Sequence, residues 1–286
     1  MANISRETGC DDAADLLACL RQVPSEQLSN VFNSSATDGA AYGAVQDGDW
    51  FTAPASTQLE NGEFVKVPFI IGCNTDEGAG NIEGLAPNTT QDMVDYLHER
   101  YSFDAETIQD LAVLYPDIPQ IGIPATITGR PNSTIGLQFK RLAAAQTDLG
   151  QEGPRRYAAQ QMTRNGAKVY TYVFNVLVWL HCDAFTPEPY ALLTCFQVNG
   201  QSWTLGSVHF QEVAFVFYNL DGLGYPQNML PNPLGGVERP KYVELAQLMV
   251  RMWISFINFG DPNVKLGGRC CRAVGRRRFG DLEPFC

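Results

Sequence analysis

The sequence predicts a layered α/β fold, from two strand patterns and the helices between them. Val67 to Cys73 is a short apolar run bounded by Lys66 and a polar turn, the pattern of a strand buried in a parallel sheet. AKVYTYVFNV, Ala167 to Val176, is rich in β-branched and aromatic residues and reads as a second strand. The segments between them have helical period, and strands separated by helices indicate α/β layers rather than an all-α or all-β fold. Two parallel strands cannot bury both faces and cover both outer edges, so the sheet they imply is an incomplete part of a larger one.

In chain order, CDDAADLLACLRQVP places Asp11 and Asp12 at a helix start, Leu16, Leu17 and Leu20 on one face, and Pro24 beyond the end. Cys10 and Cys19 flank this helix, either bridged around it or as two half-buried thiols. Helical patterns follow over Thr90 to Arg100 and over Asp104 to Tyr115, with Asp104 as N-cap. Two more cover Leu137 to Leu149 and Pro154 to Asn165, where Gly166 suits a helix end. Leu245, Leu248, Met249, Met252, Trp253 and Phe256 mark a last amphipathic helix that covers the sheet and stops at Gly260 and Pro262. The sequence has no internal repeat and no low-complexity segment.

The 286 residues suffice for one large domain or two small ones, and 45% hydrophobic residues are ordinary for a globular chain. With 31 acidic against 20 basic residues the net charge is −11, which argues against a nucleic-acid partner. The basic run is confined to Lys265 to Arg278. There is no apolar run long enough for a membrane span, and MANISRETGC lacks the basic start and apolar core of a signal peptide. Four N-x-S/T sequons, at Asn3, Asn33, Asn88 and Asn132, together with the Cys10/Cys19 pair are in keeping with secreted-protein chemistry.

Chemistry-bearing residues are few. Glu77 follows the first strand, and loops past the carboxyl ends of strands are where α/β folds build sites. Asp76 is a competing carboxylate in the same turn, and an acidic pair before a glycine is also what a solvated turn looks like. His209 is one of three histidines, with His98 on a predicted helix and His181 in an unusual stretch described below.

Six blocks turn these residues into a candidate site: CDDAADLLACLRQVP, QDGDWF, VPFIIGCNTDEG, AKVYTYVFNV, HFQEVAFVF and LAQLMVRMWISFINFGDPN. In this order they resemble the C-terminal half of type B carboxylesterases, the cholinesterase/lipase family of α/β-hydrolases, and most closely the fungal members. The resemblance implies that residues 1–263 are the C-terminal part of an α/β-hydrolase fold with an incomplete central sheet. It places the family's triad glutamate on Glu77 and its triad histidine on His209. Glu212 is then either a carboxylate behind the pair or an ordinary helix-start acid. The implied activity is hydrolysis of carboxylic esters, small-molecule or lipid, through an acyl-enzyme, with no metal, no organic cofactor and a secreted location. His209 would take the nucleophile's proton and return it to the leaving alkoxide, while Glu77 holds the imidazole in the right tautomer.

Departures from the family pattern matter equally. The sequence contains neither the G-x-S-x-G elbow nor the glycine-rich oxyanion loop, and GQSWT at Gly200 to Thr204 lacks the final glycine and the preceding strand, so Ser202 is not assigned as nucleophile. The expectation is a fragment that is inactive alone. The alternative is a cholinesterase-like protein that binds without catalysis. Residues 178–197, VWLHCDAFTPEPYALLTCFQ, interrupt the resemblance and read either as a lid or as a retained intron, because their removal joins FNVL to VNGQSWTLGSVHFQEV. Residues 264–286 read either as read-through or a shifted frame, or as a real basic tail that attracts acidic partners.

Overall fold

The computed structural model describes residues 2–37, 45–177, 203–223, 234 and 239–264. Ser202, residues 178–197 and all of the tail beyond Val264 lie outside the described residues. The chain divides into two compact units, Met1–Pro54 and Ala55–Cys286.

In the first unit, helices α1 (Ala2–Thr8), α2 (Leu16–Leu20) and α3 (Ser25–Phe32) follow one another. The helix expected to begin at Asp11 and Asp12 begins instead at Leu16, because the Asp15 carboxylate accepts the Ala18 N–H at 2.9 Å and so caps the later start. A disulfide joins Cys10 to Cys19 across this short helix.

The second unit contains α4 (Ala55–Asn61), β1 (Phe69–Asn74), α5 (Glu77–Asn81), α6 (Thr90–Tyr101), α7 (Ala105–Leu114), α8 (Phe139–Thr147), α9 (Gly153–Arg164), β2 (Val169–Phe174), α10 (Val213–Val216) and α11 (Arg239–Phe259). The strands pair in parallel, with Phe69 opposite Val169 and Asn74 opposite Phe174. β1 begins two residues later than its apolar run because Pro68 has no N–H for the ladder, and its first bond is Phe69 N–H to Lys168 C=O at 2.9 Å. Asp104 caps α7 as expected, accepting from Thr107 N–H at 2.8 Å. The two helices expected around Leu137–Asn165 form one helical run, since a wider π turn over Asp148–Glu152 carries α8 into α9. Helix α11 lies over the sheet, with Trp253 edge-on to Tyr172 and Phe256 edge-on to Tyr170.

Two apolar clusters flank the site. Ile82, Met93, Leu97, Phe139 and Leu142 form the first, together with Leu205 and Val208. Phe174, Val176, Tyr242 and Ala246 form the second, together with Ala214 and Phe215. The segment from Leu205 to Phe215 therefore has one end in each cluster. Full burial of a large apolar side chain contributes roughly 1.5–3 kcal/mol, so this segment is anchored on both sides of His209.

Candidate active site

The site is built where β1 ends. Gly78 allows α5 to press against α8: a Cβ there would stand 2.5 Å from both Ala143 O and Thr147 N, and the Gly78 N–H donates to Thr147 Oγ1 at 2.8 Å. This close approach turns Glu77, the first residue of α5, into the interior, and its side chain is only 8% exposed. Glu77 Oε1 accepts the Asn74 N–H at 2.9 Å, and Oε2 meets His209 Nδ1 at 2.9 Å. The His209 side chain is 75% exposed.

The loop before His209 is held to the same turn. Asp76 N–H donates to Ser207 C=O at 2.9 Å, and Ser207 N–H donates back to Asp76 Oδ2 at 2.7 Å. Ser207 Oγ also donates to Phe174 C=O at 3.2 Å, at the end of β2. Gly206, at φ +73°, is required here because a Cβ would lie 2.3 Å from Asp76 Oδ2. Burial pushes the Asp76 carboxyl up to about 6, against the opposing pull of the Ser207 N–H, the Thr75 hydroxyl and the Lys140 charge.

The sequence-predicted residues thus separate by role. Glu77 and His209 meet directly across 132 positions of sequence. Glu212 touches neither of them in these bonds: its Oε2 accepts from Asn74 Nδ2 at 2.7 Å. Asp76, the competing carboxylate, binds Ser207 rather than a histidine. Asn74 and Ser207 carry much of the geometry and were not singled out in the sequence. Asn74 left one trace there, as the first polar residue closing the apolar run. Among the sequons, Asn3, Asn33 and Asn132 are exposed. Asn88 is half-buried, and its side chain donates to Ala86 C=O and Ser133 C=O and accepts from Leu137 N–H.

A carboxylate only accepts hydrogen bonds, so the contact with Glu77 requires the proton on Nδ1 of a neutral His209 and leaves the Nε2 lone pair free to act as a base. Cys73 is a poor nucleophile by comparison. Its buried thiol donates to Glu152 Oε2 at 2.9 Å, and burial and the neighbouring carboxylate push its pKa up to about 12, the reverse of what a reactive thiolate needs. Among the described residues there is no group of three or more His, Cys, Asp or Glu placed to hold a metal ion. Among the same residues, no helix is long and apolar enough to cross a membrane.

A model of the carboxylesterase family matches residues 1–274. Secreted lipase 1 of Botryotinia fuckeliana is 33% identical over 166 residues, covering 51% of this chain and 27% of that protein. Neuroligin-3 of Mus musculus is 24% identical over 274 residues, covering 91% of this chain and 29% of its own length. The solved structure of carboxylesterase EST55 from Geobacillus stearothermophilus is similar at a TM-score of 0.58 and 22% identity, over 92% of this chain and 45% of that one. The chain therefore spans less than half the length of each of these relatives. With a family match over nearly all of its length and the backbone of part of an α/β-hydrolase fold, the chain belongs to the carboxylesterase family.

Proposed function

We propose that the protein is a carboxylic ester hydrolase of the serine type, working through an acyl-enzyme, with His209 as general base and then general acid and Glu77 as its orienting carboxylate. The single observation that carries this is the 2.9 Å contact between His209 Nδ1 and Glu77 Oε2, with the acid buried and the base open to solvent. Such a pair activates a hydroxyl by taking its proton, then passes the proton to the leaving alkoxide. The serine is supplied by sequence outside this chain, and the substrate is a small-molecule or lipid ester. An extracellular location is supported by the Cys10–Cys19 disulfide and by the name of the B. fuckeliana relative.

The test joins this chain to a segment carrying a G-x-S-x-G nucleophile, native or from a related carboxylesterase, and follows hydrolysis of a short-chain p-nitrophenyl ester. His209→Ala is expected to lower kcat by about six orders of magnitude, and Glu77→Gln by about four. The unmodified chain alone should not exceed background. Full activity in both variants would sink the assignment, and a joined chain that folds but never hydrolyses esters would favour a cholinesterase-like binding role. Residues 178–197 are proposed to be a retained intron, and transcripts sequenced across the codons for Leu177 and Val198 should contain the direct junction.

A further inference from the structure

One side chain reaches both flanks of His209. Asn74, the last residue of β1, is 1% exposed. Its Nδ2 donates to Val208 C=O at 2.7 Å, immediately before the histidine, and to Glu212 Oε2 at 2.7 Å, three residues after it. Neither acceptor can donate, so the nitrogen of the amide must face them. Among the described residues the amide oxygen is consequently left buried without a hydrogen-bond partner. The backbone N–H of the same residue holds Glu77 Oε1 at 2.9 Å. Asn74 therefore grips the acid through its main chain and the loop of the base through its side chain.

A buried amide oxygen left unpaired destabilises the fold, whereas an apolar side chain of similar shape would carry no such cost. The loop also has other attachments, namely the Asp76–Ser207 pair of bonds and the buried Leu205, Val208, Ala214 and Phe215. These keep the segment on the body of the protein, and Gln211 spans the histidine from within the loop, its N–H donating to Val208 C=O and its Nε2 to Gly206 C=O, both at 3.3 Å. Asn74 is the side chain that ties both flanks to the strand end leading into Glu77.

We propose that Asn74 is the positioning residue of the Glu77–His209 pair, and that Glu212 acts on the histidine through it. By accepting one amide hydrogen, Glu212 fixes the rotation of the amide so that the other hydrogen stays on Val208 C=O. The carboxylate is thereby given a role without touching the imidazole. The proposal rests on His209 being the base held by Glu77, and its test separates the two assignments.

The measurement is the tautomer of neutral His209 in the 15N-labelled full chain, read from long-range 1H–15N couplings, with backbone amide spectra as the check on folding. The unmodified protein should hold the Nδ1–H tautomer, and Glu77→Gln should release it toward the Nε2–H form that isolated imidazole prefers. If Glu77→Gln changes nothing, the acid–base pair itself is wrong. If Glu77→Gln shifts the tautomer, Asn74→Leu is expected to lower the Nδ1–H to Nε2–H ratio about fivefold, the size of one lost hydrogen bond. An unchanged ratio in folded Asn74→Leu overturns the role of Asn74 and leaves the pair intact. Should Asn74→Leu fail to fold, Glu212→Ala decides: a fall of about twofold or more, through one of the two amide bonds, supports the proposal, and an unchanged ratio overturns it.

Discussion

The carboxyl end of β1 and the loop from Leu205 to Glu212 meet at the Glu77–His209 contact but are built in opposite ways. On the β1 side Asn74, Asp76, Glu77 and Gly78 are all buried, and each polar group that sets the geometry is bonded to the fold's own backbone or to a neighbour. On the loop side the chain is gripped only up to Val208 and again from Gln211, while His209 and Phe210 between them are exposed. Phe210 even occupies the left-handed region, at φ +77°. Strain at an exposed residue beside the proposed base is the pattern expected where geometry serves chemistry rather than stability. The comparison teaches that Glu77 is positioned by packing, whereas His209 is delivered by a tethered, otherwise open loop.

Substitutions that strike only one side should break this contrast or sharpen it. The largest loss of stability is expected from Gly78→Ala, whose methyl would collide with the backbone of α8. Urea unfolding should show destabilisation by about 3 kcal/mol, and a neutral result would mean that α5 is free to move off α8. Next is the pH dependence of Asp76, raised by burial from an ordinary 3.8 to about 6. Between those values the folded protein holds a proton that the unfolded chain has released, so this group's contribution is fully present below about pH 4 and is lost as pH rises through 6. The loss amounts to about 2 kcal/mol across that window, and Asp76→Asn should flatten it in unfolding midpoints measured from pH 4 to 7.

Effects on the loop side should be smaller in stability. His209→Ala is expected to cost about 1 kcal/mol or less, because most of the ring is already in water and its removal admits water to Glu77. A cost as large as that of Gly78→Ala would erase the distinction between the two regions. The smallest change is predicted for Phe210→Gly, which relieves the left-handed backbone at an exposed position. Its thermal midpoint should rise by the equivalent of about 0.5 kcal/mol, since the relief is partly offset by the greater freedom of glycine in the unfolded chain.

Local pattern explains what was legible and what was not. Both strands, the helices of at least nine residues and the Asp104 cap could be read from period and capping chemistry, which are properties of neighbouring residues. The short helices α1, α3, α4 and α5 could not. Helices of five to eight residues are marginal by themselves and are stabilised by what they pack against. Glu77 and His209 became candidates only through ordered family blocks, since no local rule distinguishes an acid in a turn from a triad acid. Asn74 escaped notice because its partners, Val208 and Glu212, lie 134 and 138 positions away.

By itself the sequence determined the α/β class, the parallel relation of its strands and the acidic character of the chain. These follow from spacing and composition, which act over a few residues at a time, whereas the Glu77–His209 pair was indicated by the resemblance of the ordered blocks to the family. Only the tertiary structure gave the adjacent carboxylates their partners, the His209 imidazole for Glu77 and the Ser207 backbone for Asp76, and only it made Asn74 the link between Glu77 and the loop of His209. The physical reason is that burial and hydrogen-bond partners are set by which distant segments close on one another, and here that closure required a glycine small enough to let α5 touch α8.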